Sequence, residues 1–336
     1  MRVLHNRRPI DHAWRTSLAD MSMNEAYNII DASDLPDGSR NEEAQRFTRS
    51  QRSAWDAIAD HWNMFQHPEA NGRVEDGNDM FNECLLPVVD ELVSWRPGET
   101  VLDLGAGSGI ICRRFAKQGA QVVGLDFSEA MLDVGRELSR QQKLDHLVEF
   151  GTVDLTDVRS MKTFMEKRKR RMRADGKDEV EARFDIITIS TTVKSLSSLE
   201  ALAEMLPRML KPNGRIVIVD LHPAFSKPAG HRGMEIFEDP KTGRQQLSTY
   251  IKVPKYLNIP PTMSEAVRGQ PEPLMVFHRP LWALMEPFFR CGLVLDGLRE
   301  PAFEGERIPS QAQSYHNFQQ TPMLLAYRLR HCAPRT

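Results

Sequence analysis

The chain of 336 residues has only four cysteines, Cys84, Cys112, Cys291 and Cys332, and no two of them form a C-x-x-C pair. This excludes a disulfide scaffold and a thiol redox motif, and it reads as buried or free thiols in a reducing compartment. No apolar run reaches the ~18 residues of a membrane span, and the opening MRVLHNRRPIDHAWR lacks an apolar leader core, so neither a span nor a secretory signal is expected. Charge of one sign is not in excess: 44 Lys and Arg stand against 46 Asp and Glu, net −2, which gives no global pull toward nucleic acid or a membrane surface. There is no H-x-x-x-H and no Cys/His cluster, so no metal site is expected. No internal repeat is visible. These absences leave a cytoplasmic globular protein. Its length allows one large or two modest domains, and its 40% hydrophobic content suffices for a core.

What is present concentrates in Glu99 to Asp126, ETVLDLGAGSGIICRRFAKQGAQVVGLD, which reads as strand, glycine turn, helix and strand. Gly105, Gly107 and Gly109 let the backbone turn sharply and approach a ligand, and the N–H groups at the helix start face the same crevice. Asp126, at the tip of the second strand, is placed to accept hydrogen bonds from a ribose diol. This is half of a parallel α/β unit with its ligand outside the carboxyl ends of the strands, and that ligand reads as a nucleoside. The dinucleotide pattern G-x-G-x-x-G fails, because its third glycine falls on Ile110. Asp103, before the glycines, opposes a pyrophosphate and suits a ligand carrying an amino group and a sulfonium.

The run Asp103-Leu104-Gly105-Ala106-Gly107-Ser108-Gly109 resembles motif I of the class I S-adenosylmethionine (AdoMet)-dependent methyltransferases. The resemblance covers roughly residues 55–330, is densest over 99–221, and includes MLKPNGRIVIVD at strand five. It is closest to the small-molecule branch: the tetrad after strand four is Ser190-Thr191-Thr192-Val193, with no N-P-P-Y of the nucleic-acid and glutamine N-methyltransferase branches. The resemblance implies a seven-stranded, mostly parallel doubly wound α/β sheet with an antiparallel last strand. It also implies AdoMet as cofactor, held by Asp103, Gly105, Ala106, Gly107 and Asp126. Phe127 and Met131 would flank the adenine, Asp154 would bind its amino group with Asp157 close by, and Leu155 and Ser190 complete the cofactor contacts.

Around this centre the chain divides as follows. Residues 1–45 are polar and are expected to form a flexible arm. Residues 46–98 read as a helical cover, with one helix over Phe47 to Phe65 and another over Asp79 to Trp95. Trp55 and Trp62 read as packing residues, and the loop 67–72 is placed to border the cofactor. Residues 99–330 form the AdoMet-binding domain. Within it, KRKRR at 167–171 reads as a solvated helix, since no aromatics interleave it and acids follow. The insert 222–275 breaks the alternation and reads as a substrate cap.

A hydroxyl acceptor benefits from a base, so the histidines were weighed. His222 directly follows strand five on the ligand side and is the first candidate. His278, beside Arg279, is the second. His231, His316 and Glu300 rank below them. The expected reaction is methyl transfer to an oxygen of a small organic acceptor, in secondary metabolism, by a monomer or homodimer that engages neither nucleic acid nor membrane. The alternatives are a cyclase or pericyclase that reuses the pocket, and a non-catalytic AdoMet-binding regulatory partner.

Overall fold

The computed structural model describes residues 37–66, 77–267 and 269–332. The chain forms two units, 1–45 and 46–336. Of the first, only 37–45 is described and is helical, because helix α1 spans Asp37–Gln66 and so begins within the stretch read as an arm. The loop 67–72 lies outside the described residues.

Over the second cover segment the sequence predicts one regular helix. The structure instead has a π-helical turn, Met80–Leu85, running into α2, Leu86–Val93. Pro87, in the first turn of α2, has no N–H to offer the carbonyl one turn back, and the wider turn takes up that break.

The sheet then forms in order: β1 (Val101–Leu104), α3 (Ile110–Lys117), β2 (Val122–Asp126), α4 (Glu129–Gln141), β3 (Val148–Thr152), α5 (Val158–Ala174), β4 (Phe184–Ser190), α6 (Glu200–Met209) and β5 (Leu210–Leu221). The insert contributes β6 (His231–Glu238) and β7 (Gln245–Lys252), an antiparallel ribbon, and the short pair β8 (Thr262–Ser264) and β9 (Leu274–Val276). After it come α7 (Leu281–Arg290), β10 (Leu293–Arg299) and β11 (Leu324–His331).

The seven-stranded sheet has the order β10-β11-β5-β4-β1-β2-β3. β11 runs antiparallel to both its neighbours, and the other described pairings are parallel. Strands β1, β2 and β4 are buried along almost their whole length because both faces are covered. In β1, Leu102 and Leu104 join a core with α6 and α7, whereas Val101 joins a second core with α2 and α3. Each fully buried side chain of this size stabilises the fold by about 1.5–3 kcal/mol.

The chain leaves β1 toward β2 on one side and enters β4 on the other, so the strand order reverses between β1 and β4. That switch point opens a crevice at the carboxyl ends of the strands. Among the described residues, no helix is long and apolar enough to cross a membrane.

Candidate active site

The crevice is an open pocket whose empty space, including the solvent at its mouth, is about 940 Å³. Its floor is the glycine turn. A Cβ on Gly105, at φ +74°, would lie 2.2 Å from Thr192 Oγ1, so β1 and β4 can close on each other only at glycine. Gly107, at φ +52°, donates its N–H to Asp126 Oδ2 (2.9 Å), and Ser128 donates its N–H to Asp126 Oδ1 (2.9 Å). Asp126 therefore shapes the turn as well as facing the cavity. Ser128 caps α4 by accepting from the Met131 N–H, and its hydroxyl donates to Asp56 Oδ1 (2.6 Å), tying α1 to the tip of β2.

Asp103 is buried at 2% exposure, accepts from Thr188 Oγ1 (2.8 Å), and has Cys112 Sγ at 3.5 Å. Burial pushes its carboxyl up to about 7, against the pull of those two hydrogen bonds, and the nearby Asp126 charge adds to the rise. Burial also raises Asp126, opposed by the Ser128 and Gly107 N–H groups. Asp154 Oδ1 accepts from the N–H (2.8 Å) and hydroxyl (2.7 Å) of Thr156. Asp157, the alternative at this strand, is occupied elsewhere as the N-cap of α5, accepting from the N–H groups of Arg159 and Ser160.

All ten sequence-predicted cofactor residues, from Asp103 to Ser190, line this one cavity. Among its described lining residues there are three carboxylates, Asp103, Asp126 and Asp154, and no Lys or Arg. Two lining hydroxyls, Ser190 Oγ and Ser197 Oγ, are buried without a hydrogen-bond partner among the described residues. Between them Thr191 takes φ +53°, a conformation that costs a non-glycine residue about 1–3 kcal/mol and tends to persist at functional sites.

The far wall is aromatic and was missed in sequence. Thr48, Gln51, Trp55 and Trp62 of α1 line the cavity together with Phe47 and Phe81. The tryptophans pack edge to face at 5.4 Å. Positions 48, 51, 55 and 62 fall on one helical face, the signal that could have identified Trp55 and Trp62 as more than packing.

The two candidate histidines lie apart from this cavity. His222 does not line the cavity. It is 3% exposed, stacks on Phe225 (4.5 Å), and accepts the Ala224 N–H at Nδ1 (3.2 Å). Its proton therefore sits on Nε2 and points to Glu300 Oε1 (3.0 Å). One nitrogen is committed to the opening turn of the insert and the other to Glu300 after β10, and burial lowers the ring's pKa, with the Lys194 charge adding to the fall. His278 is likewise away from the cavity, donating from Nε2 to the Tyr256 carbonyl (2.6 Å). Arg279 does not face an acceptor either: its guanidinium donates to the carbonyls of Val193, Leu196 and Ser197.

The insert also departs from its expected role as a lid. None of its described residues lines the cavity. It acts at one remove, through β9: Gln51 Nε2 donates to the Met275 carbonyl (2.8 Å) and Gln51 Oε1 accepts the Met275 N–H (2.9 Å), bracing α1 where it walls the site.

With this geometry established, comparison with known proteins is informative. Residues 96–229 match the family described as "Methyltransferase domain". Demethylmenaquinone methyltransferase of Clavibacter sepedonicus is 37% identical over 131 residues, 39% of this chain and 43% of its own length. Ubiquinone biosynthesis O-methyltransferase of Pasteurella multocida is 27% identical over 176 residues, 52% of this chain and 62% of its own. The match thus spans about half the length of these curated relatives. Among solved structures, the CcbJ methyltransferase of Streptomyces caelestis shares the fold at a TM-score of 0.50 and 17% identity, covering 83% of this chain and 98% of that one. The glycine turn at the β1–β4 switch point and the acids at successive strand tips lie within residues 96–229, the stretch that is similar to the methyltransferase-domain family.

Proposed function

We propose that this protein transfers the methyl group of AdoMet to an oxygen of a small, ring-bearing, apolar acceptor. The observation that carries the reading is the cavity's composition, three carboxylates without a cation and an aromatic wall opposite. The carboxylates suit a ligand with a sulfonium and an ammonium group and disfavour a pyrophosphate or an anionic acceptor. Asp126 and Asp154 would hold the nucleoside, with Phe127 and Met131 beside it. Asp103 and the glycine-turn N–H groups would hold the amino-acid end. Two of these relatives are named as a demethylmenaquinone methyltransferase and a ubiquinone biosynthesis O-methyltransferase, which supports an acceptor of the phenol or hydroxyquinone class.

AdoMet, when bound, supplies a methyl group on a positively charged sulfur that is open to in-line displacement. The chain's part is to align the acceptor and exclude water, and alignment alone can lower such a barrier by about 7–11 kcal/mol. Trp55, Trp62, Phe47 and Phe81 would fix the ring plane, and Ser190 and Ser197 offer hydroxyls to orient its polar end. No histidine or lysine lines the cavity among the described residues, so the acceptor should carry an acidic phenolic or enolic hydroxyl that ionises without a strong base.

The test is incubation with methyl-labelled AdoMet and a panel of phenols, hydroxyquinones and enols. The expected outcome is label and one added methyl mass on an oxygen of at least one of them. Tight AdoMet binding with no methylated product across the panel would overturn the reading in favour of other chemistry in the same pocket.

A further inference from the structure

The geometry points to a divalent transition-metal site formed by Asp79, Glu83 and His316, remote in sequence from one another and outside the methyl-transfer machinery. Asp79 and Glu83 are one turn apart at the π-helical turn, and His316 lies in the 3₁₀ turn Tyr315–Asn317 of the long link between β10 and β11. One donor atom from each lies within 4.8 Å of the other two.

His316 supplies the observation that lifts this above a surface cluster of acids. The residue is nine-tenths buried, at 9% exposure. Its Nδ1 is 2.9 Å from Ser314 Oγ, and its ring lies against Phe303 at 4.3 Å. Nε2 therefore has a fixed direction, and that direction is toward Asp79 Oδ2 and Glu83 Oε2, each at 3.6 Å. Both distances exceed hydrogen-bonding range. They match the separation of ligand atoms around a tetrahedral ion: bonds of about 2.1 Å place neighbouring donors about 3.4 Å apart. With Nδ1–H donating to Ser314, the Nε2 lone pair faces the ion, the orienting arrangement usual for a metal-bound imidazole.

The link is preorganised to present this ring. Asn317 Oδ1 accepts the Ile308 N–H (2.9 Å), and Asn317 Nδ2 donates to the carbonyls of Ile308 (2.9 Å) and Gln311 (2.9 Å). One imidazole and two carboxylates select Zn²⁺ or a similar transition ion over Mg²⁺, which prefers an all-oxygen shell and retains its waters. An ion here would clip the link onto the turn that carries Phe81, a wall residue of the methyl-transfer cavity. The sequence shows no metal pattern because only the fold brings His316 to the Asp79–Glu83 turn.

The experiment is calorimetric titration of the chelator-stripped full chain with ZnCl₂, with MgCl₂ in parallel, and Co²⁺ substitution followed by visible absorption. The expected result is one saturable Zn²⁺ site, tetrahedral Co²⁺ bands, a higher melting temperature with Zn²⁺, and at least tenfold weaker Zn²⁺ binding in Glu83→Gln and in His316→Asn. Glu83 is exposed, so its variant reports on the site even if His316→Asn fails to fold. Absence of saturable Zn²⁺ binding, equal binding of Mg²⁺, or wild-type affinity in Glu83→Gln would each overturn the assignment.

Discussion

Burial of Asp103 opposes folding, and under the proposed function its carboxylate would favour ligand binding. Its carboxyl is raised from 3.8 to about 7, chiefly by burial. A carboxyl with a folded pKa above its unfolded one gives its full contribution to stability below the unfolded value and loses it as pH rises through the folded value. From about pH 5 to about pH 7 the loss is two pH units at about 1.4 kcal/mol each, or about 3 kcal/mol. Asp103→Asn keeps the shape and an oxygen for the Thr188 hydroxyl but has no proton to lose. Any cost of its new amide hydrogens is the same at both pH values. Urea denaturation of the apo protein at pH 5 and pH 8 should therefore show the stability of Asp103→Asn, relative to the wild type, rising by about 3 kcal/mol across that range. The same substitution should weaken AdoMet binding at pH 8 by roughly 10–100-fold, since a charged hydrogen bond contributes about 1.5–3 kcal/mol. A stability difference that is the same at both pH values would refute the reasoning, because it would mean that Asp103 is ionised in the folded protein already at pH 5. A site residue that is costly to the fold and useful to the ligand is the usual form of the stability–activity trade-off.

Three further outcomes are expected. Asp126→Ala should lose at least tenfold in calorimetric AdoMet affinity and also about 2 kcal/mol of folding stability, because the Gly107 and Ser128 N–H groups lose their acceptor. His222→Gln should lower the melting temperature while leaving AdoMet affinity intact, and it should flatten the acid side of the stability curve. Burial lowers the folded pKa of His222 from 6.5, so its contribution is present above pH 6.5 and is lost as pH falls through the folded value, a change that thermal melts from pH 7 to pH 5 would follow. Trp62→Ala should raise the acceptor KM at least tenfold with AdoMet affinity changed far less, which steady-state kinetics on the acceptor found in the panel would measure.

The sheet and the crevice at its strand tips were legible in the chain because their causes are local. β1, the glycine turn and α3 follow one another within Val101–Lys117, and β2 brings Asp126 back within a few residues. Buried parallel strands read as apolar runs, as in FDIITIS of β4, because both faces must be covered. The turn's resemblance to motif I extended this to Asp154, Leu155 and Ser190, all at strand ends that face the same crevice.

What only the tertiary structure decided is where distant segments land. Topology placed His222 at the tip of a strand but could not show that its ring turns away to Glu300 and the Ala224 N–H. The length of the insert suggested a lid, yet hydrogen bonds from Gln51 to Met275 make β9 a brace for α1 instead. Asp154 was the acid expected at this strand with Asp157 close by, and the structure separates the two because Asp157 caps α5. The aromatic wall of Trp55 and Trp62 and the meeting of His316 with Asp79 and Glu83 depend on packing between elements far apart in the chain. Periodicity shows which face of an element is apolar. Only the packed fold shows what that face meets.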